Sequence, residues 1–192
     1  MRAIDLCCGA GGMTAGMQKA GFNVLGVDVV ARKDYPAPVL RGDVRQLDPD
    51  ILPPADWVHA SPPCTRFSSA RASRVVDPPT VADLDILQAC RQLIAAKKPR
   101  FWTIENVRGA VPLFSEVLGP PRLEHGPFFF WGNFPPFLVG RTGLMKNLST
   151  ANRAGYHRSP WLRAKIPAEL ATPMAQAIAA ELAPVCKLEA KE

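Results

Sequence analysis

From Met1 to Val107 the chain reads as short apolar runs broken by glycine, proline and longer amphipathic stretches, the signature of strands alternating with helices. Arg2 to Leu6 predicts a first strand, followed by the glycine-rich turn Cys7-Cys8-Gly9-Ala10-Gly11-Gly12 and a helix from Met13 to about Ala20, with Gly21 as its C-terminal cap. Asn23 to Val27 predicts a second strand that ends at Asp28, and a third short segment precedes Gly42-Asp43-Val44. Trp57 to Ala60 is a compact apolar run and predicts a fourth, buried strand. From Thr80 to Lys98, Val81, Leu84, Leu87, Cys90, Leu93 and Ile94 recur at helical spacing, and Pro99 stops the helix. Phe101 to Ile104 predicts a fifth strand that delivers Glu105-Asn106-Val107 at its end.

The second half is less regular. Val111 to Leu118 predicts a short helix closed by Gly119-Pro120-Pro121. Phe128 to Trp131 predicts a buried strand, and Phe137-Leu138-Val139 another that returns after Pro135-Pro136. Thr172 as N-cap and Pro173 at the first helical position predict a closing helix over about 172–183. The pattern as a whole is an α/β domain with a mixed, mostly parallel sheet flanked by helices.

In such sheets ligands sit beyond the carboxyl ends of the strands. Gly9 to Gly12, Asp28, Cys64 and Glu105 all fall at those ends. Glycines let a backbone approach a ligand and leave helix amides pointing at it, while an acid closing the second strand suits the two hydroxyls of a ribose. Asp43 is placed to accept from an adenine amino group. Around Cys64, the segment Ser61-Pro62-Pro63-Cys64-Thr65-Arg66-Phe67-Ser68 stiffens the backbone just before a thiol. A Pro-Pro-Cys also fits a buried structural cysteine; its place on the same edge as the other groups favours a nucleophile. Arg66, Arg71 and Arg74 follow it with no acid until Asp77, so cationic neighbours are expected to lower the thiol pKa.

The 192 residues make one domain the simplest expectation, and 47% hydrophobic content is ordinary for a globular chain. No apolar run approaches the roughly 20 residues of a membrane span. The N-terminus begins directly in a strand pattern rather than a secretory signal, and five scattered cysteines fit neither a disulfide framework nor a zinc site. A cytoplasmic protein without a metal is the expectation. The formal charge of +6 permits a nucleic-acid partner. Between His125 and Ala168 there is no acid, while Arg141, Lys146, Arg153, Arg158, Arg163 and Lys165 stand among Asn147, Ser149, Thr150, Asn152, Tyr156 and His157. Hydrogen-bonding groups among positive charges suit phosphate and base contacts, although a solvated basic loop has the same composition.

Three motifs, in this order and spacing, resemble those of the C5-cytosine DNA methyltransferases. Asp5-Leu6-Cys7-Cys8-Gly9-Ala10-Gly11-Gly12 is similar to the family's cofactor motif, with Cys7 where phenylalanine is common. Ser61-Pro62-Pro63-Cys64 is similar to the catalytic motif, with Thr65 where glutamine is common, and Glu105-Asn106-Val107 is identical to the usual Glu-Asn-Val. Ala164 to Ala171 resembles the closing motif of short, phage-type members. The arginine-rich motif that follows Glu-Asn-Val is reduced to Arg122 with His125. Where the family carries a target-recognition domain, only Gly140 to about Ala164 is present.

The resemblance implies a Rossmann-like methyltransferase fold over residues 1–192 as a single domain with a reduced recognition insert. It implies S-adenosylmethionine as methyl donor, leaving S-adenosylhomocysteine, and a cofactor site built from Asp5, Cys7, Gly9, Ala10, Gly11, Gly12, Asp28, Val29, Asp43, Val44 and Pro62. Cys64 would attack C6 of cytosine, Glu105 would serve N3, and Arg122 would hold the O2 side. Ser68, Arg66, Arg71, Arg74, Arg141, Lys146, Asn147, Arg153, His157 and Arg158 would contact double-stranded DNA from which the base is flipped. So short an insert implies a recognition site of about two to four base pairs. The protein would work in a bacterial or phage-infected cytoplasm, as a monomer or with a separate recognition subunit. The same motifs serve the tRNA-methylating branch, and a non-catalytic nucleic-acid-binding module of the same fold is a further alternative.

Overall fold

The computed structural model describes residues 1–68, 78–139 and 165–184. Seven strands form one sheet: β1 (Arg2–Leu6), β2 (Asn23–Asp28), β3 (Val39–Arg41), β4 (Trp57–Ala60), β5 (Phe101–Val107), β6 (Leu123–His125) and β7 (Phe128–Asn133). Four helices flank it: α1 (Gly12–Lys19), α2 (Asp85–Lys97), α3 (Val111–Leu118) and α4 (Ala168–Leu182). The strand order is β3-β2-β1-β4-β5-β7-β6. Neighbours from β3 to β5 run parallel, and β7 lies antiparallel to both β5 and β6. This mixed, mostly parallel sheet is the methyltransferase architecture that the motifs imply.

The sheet is covered on both faces, which explains why β4 is buried along its whole length. Ile4, Leu6, Val58, Ala60 and Ile104 point to one side and meet Leu87, Cys90 and Leu93 of α2 and Phe114 of α3. Ala3, Val24, Trp57, Phe101 and Phe130 point to the other and meet Met13 and Met17 of α1 and Leu170, Met174 and Ile178 of α4. α1 and α4 pack backbone to backbone, since a Cβ on Gly16 would lie 2.6 Å from the Ala171 carbonyl carbon. The chain leaves β1 for β2 on one side and returns to β4 on the other, so a crevice opens between the ends of β1 and β4.

Several elements differ from the expectations: Leu123–His125 forms a strand, β6, that the sequence pattern does not predict, and the helix expected from Thr80 becomes α-helical only at Asp85. β5 runs on through Val107, because β7 pairs with it from Asn133 to Phe128 and carries Glu105 and Asn106 into the ladder. Phe137 to Val139 forms no strand: Phe137 and Val139 pack against the core while Leu138 is 93% exposed. The closing helix starts at Ala168 with Pro167 as its N-cap, so Pro173 lies inside it. The amides of Leu170 and Ala171 both donate to the Pro167 carbonyl, which starts the helix there. An interior proline costs about 3 kcal/mol, but burying Leu170, Met174 and Ile178 contributes roughly 1.5–3 kcal/mol each and outweighs it. Thr172 therefore caps nothing; its hydroxyl is buried without a partner among the described residues.

Candidate active site

The glycine turn leaves β1 with Cys7, Gly9 and Gly11 all at positive φ, at 55°, 52° and 70°. The Asp28 carboxylate, at the end of β2, holds this turn by accepting from Gly9 N–H and from Val30 N–H, each at 2.9 Å. A carboxylate accepts at about four lone-pair sites, so Asp28 retains capacity for a ligand. A Cβ on Gly9 would meet only the Cys7 carbonyl at 3.9 Å, so this glycine faces open space. Gly11 and Gly12 do not. A Cβ on Gly11 would lie 2.7 Å from Pro36 Cδ, and one on Gly12 would lie 2.5 Å from the Ile166 carbonyl oxygen. Their missing side chains let the chain pack on itself, while Gly9 is the glycine a cofactor could approach.

Asp5 is buried beneath the turn and accepts from Thr14 Oγ1 at 2.5 Å. Burial pushes its carboxyl up to about 7. The Cys7 side chain turns inward: a hydrogen bond with Cys90 of α2, then burial, hold its thiol well above the ordinary range. Asp43 is paired with Arg45, whose Nη2 lies 2.5 Å from Oδ2, and that contact holds the carboxyl down at about 2. Arg45 also reaches Asp85 at 2.8 Å. Val44 is buried in the core, and Val29 is exposed at the tip of β2.

Cys64 sits in the loop beyond β4, half-buried, with its carbonyl accepting from Phe67 N–H at 3.0 Å and Ser68 N–H at 2.9 Å. The loop is held from β5. Asn106 donates its side-chain amide to the Pro62 carbonyl at 2.9 Å, and a Cβ on Gly109 would lie only 1.9 Å from the Phe67 carbonyl oxygen. Glu105, one residue before Asn106, faces the α1/α4 side and is 7% exposed. Burial pushes its carboxyl up to about 7, against the opposing hydrogen bond from Ser61. The Cys64 thiol is pushed up too, by burial first and by the nearby charge of Glu105 second. This corrects the expectation of a thiol lowered by cations: Arg66 forks onto Asp83, with Nε 2.5 Å from Oδ1 and Nη2 3.1 Å from Oδ2.

Residues 1–113 match the family model for the C-5 cytosine-specific DNA methylase. The chain belongs to that family. It is 26% identical over 116 residues to the type II methyltransferase M.FnuDI of Fusobacterium nucleatum, across 57% of this chain and 33% of that protein. It is 33% identical over 130 residues to M.NaeI of Lentzea aerocolonigenes, across 60% of this chain and 30% of that protein. Among solved structures, the Entamoeba histolytica methyltransferase EhMeth aligns with a TM-score of 0.47 at 14% identity, over 71% of this chain and 54% of that one. The matches to M.FnuDI and M.NaeI thus span about a third of each relative's length.

The methylase motifs lie along one edge of three adjacent strands: the glycine turn after β1, the Cys64 loop after β4, and Glu105 near the end of β5. Arg122 stands on the far side of β7 from Glu105. It lies two strands from Glu105, just before β6, with its guanidinium 5.4 Å from the Phe134 ring centroid and its N–H donating to the Phe130 carbonyl at 2.8 Å. Ser68 is half-buried behind Cys64. Arg71, Arg74, Arg141, Lys146, Asn147, Arg153, His157 and Arg158 lie outside the described residues. Among the described residues no helix is long and apolar enough to cross a membrane. Sequence reasoning missed Tyr35, which packs over Gly11 and Gly26 and shares the Thr14 hydroxyl, and the pair His59 and Ser61. The signal for the latter was present: His59 and Ser61 alternate onto the face of β4 that Trp57 occupies, so the imidazole had to be buried with a partner.

Proposed function

We propose that this chain transfers a methyl group from S-adenosylmethionine to C5 of cytosine in DNA, through a covalent bond between the Cys64 sulfur and C6. The observation that carries the reading is the placement of Cys64 beside Glu105: β4 and β5 pair as far as Ala60 and Ile104, and Asn106 ties the Cys64 loop to β5. The thiol in the loop after β4 is raised by burial and by the charge of Glu105, whose own carboxyl burial pushes up to about 7, and both stand at the sheet edge where ligands bind.

C5 of cytosine is too weak a nucleophile to take up a methyl group unaided. Addition of the Cys64 thiolate to C6 forms an S–C bond and moves the ring electrons towards N3, where Glu105 supplies the proton. The neutral enamine so formed is nucleophilic at C5. The bound cofactor supplies the electrophilic sulfonium methyl group that C5 takes up. Loss of the C5 proton to a base then expels Cys64 as thiolate, and the N3 proton returns to Glu105. The productive protonation state is therefore Glu105 neutral and Cys64 ionised. Neutral Glu105 also removes the negative charge that opposes thiol ionisation, so the two requirements reinforce one another.

The cofactor fits the open backbone at Gly9 and the remaining acceptor sites of Asp28, with Val29 beside them. Asp43, drawn onto Arg45, is the less available of the two acids. Substrate is tested by incubating the chain with tritiated cofactor and DNA, RNA or free cytidine nucleotide. Label is expected in DNA only, and none with Cys64→Ser; label in RNA or nucleotide alone would redirect the assignment.

A further inference from the structure

Behind the Cys64–Glu105 pair the sheet carries a buried row of polar side chains. β1, β4 and β5 bring Asp5, His59 and Thr103 into register as direct neighbours, each at most 1% exposed. Three buried polar residues in the middle of otherwise apolar strands are costly unless bonded. Asp5 turns to Thr14, whereas His59 and Thr103 bond to one another. Trp57 Nε1 lies 3.0 Å from Thr103 Oγ1, Thr103 Oγ1 lies 2.8 Å from His59 Nδ1, and His59 Nε2 lies 2.9 Å from Ser61 Oγ. The β4–β5 register runs to Ala60 and Ile104, so the next residues, Ser61 and Glu105, stand side by side on this face, and the Ser61 hydroxyl opposes the upward push on the Glu105 carboxyl. The measured contacts thus run from an indole in the core to Ser61, which the register places beside the carboxyl at the site.

Its direction follows from chemistry. An indole N–H can only donate, so it occupies one lone pair of Thr103 Oγ1. The Thr103 proton is then used only if it goes to His59 Nδ1, which makes Nδ1 the acceptor. Burial holds the imidazole down at about 3, so it is neutral and carries its one proton on Nε2. Nε2–H donates to Ser61, and the Ser61 hydroxyl is left to donate to Glu105. We propose that His59 is a positioning residue: with its tautomer set by Trp57 through Thr103, it makes Ser61 a donor to one Glu105 oxygen, so that the catalytic proton resides on the other. This rests on the role given to Glu105 above and deepens it. One oxygen is committed as an acceptor, and the acidic proton is kept for the base rather than turned into the protein. No proton need leave along the row, which sets orientation only. The titratable groups facing Glu105 are Cys64 from the loop after β4 and, through Ser61, His59; Asp5 continues the row on β1.

The test uses the full chain and reads Glu105 without turnover. Carbon-13 NMR of protein labelled at Glu Cδ, assigned by the signal lost in Glu105→Gln, gives its titration in wild type, Ser61→Ala, His59→Phe and the double variant. Losing a donor to the carboxylate should move the midpoint up by about one pH unit in each single variant. The double variant should move no further than Ser61→Ala alone, since His59 acts only through Ser61. Nitrogen-15 spectra of wild type should find Nε2 protonated and Nδ1 bare, a reading that does not depend on His59→Phe folding. A protonated Nδ1, an unmoved midpoint in Ser61→Ala, or a His59→Phe shift that persists without Ser61 would each overturn the proposal. In turnover, the alkaline limb of the kcat profile should move up with the same midpoint. If the titrations behave as stated but no substrate is methylated, the relay stands and the methyl-transfer reading falls.

Discussion

Asn106 donates its side-chain amide to the carbonyl of Pro62 at 2.9 Å, tying two segments that lie 44 residues apart. Its own carbonyl accepts from Val107 N–H at 2.9 Å, so one fully buried amide fixes both the end of β5 and the proline turn that presents Cys64. The Glu-Asn-Val motif thus serves opposite faces of one strand: Glu105 faces the α1/α4 side and Asn106 holds the Cys64 loop.

Replacing Asn106 with Ala leaves the Pro62 carbonyl buried and unpaired, which costs about 1–3 kcal/mol. Urea denaturation should register that loss. Methyl transfer should fall further than stability alone explains, because the Cys64 loop is no longer registered against β5. An Asn106→Ala protein with unchanged stability would remove the clamp from the account.

Asp28 supports the glycine turn, and in the proposed reaction it also offers acceptor sites to the cofactor. Asp28→Ala should weaken binding of S-adenosylhomocysteine by roughly 1–3 kcal/mol in calorimetry. Asp43→Ala should change it less, since Asp43 is already drawn onto Arg45. Equal losses in both, or none in Asp28→Ala, would argue for a different cofactor position.

Asp5 makes stability depend on pH with a definite sign. Its folded pKa of about 7 lies above the ordinary 3.8, so the protonated carboxyl favours the folded state. That contribution is complete below about pH 4 and is lost as pH rises through about 7. Relative to Asp5→Asn, wild type should therefore lose up to roughly 1.4 kcal/mol per pH unit across this window. Denaturation curves of the two proteins at matched pH check it. A difference that grew in the opposite direction would mean that Asp5 is ionised in the fold.

The first half of the chain was legible because a short apolar run such as Trp57 to Ala60, ending in Pro-Pro-Cys, leaves few alternatives. What the sequence hid were interactions between distant segments. Pro173 carries the local signature of a helix start, yet the apolar stripe from Leu170 to Ile178 and the Pro167 carbonyl together move the start back to Ala168. Phe137 to Val139 is apolar enough for a strand, but Phe137 and Val139 find the core without joining the sheet. Glu105 is drawn inside β5 only because β7 pairs that far. At the site, an arginine-rich loop implied a lowered thiol pKa, but Arg66 is held by Asp83 and burial raises the thiol.

Cys64 and Glu105 should titrate as partners. Glu105→Gln removes the charge that opposes thiolate formation, so alkylation of Cys64 by iodoacetamide should reach half-rate at lower pH than in wild type, even as methyl transfer is lost. An alkylation profile unaffected by Glu105→Gln would separate the two groups. Burial, the larger cause of the raised thiol, should keep the midpoint above that of a free cysteine in both proteins.

The most direct test of the account is covalent capture on DNA containing 5-fluorocytosine, in the presence of S-adenosylmethionine. Fluorine at C5 cannot leave as a proton, so the final elimination stalls with the sulfur still bonded to C6. The account predicts a denaturant-resistant protein–DNA adduct whose mass spectrum places the base on Cys64, with none formed by Cys64→Ser. An adduct on another residue, or one that Cys64→Ser still forms, would contradict it.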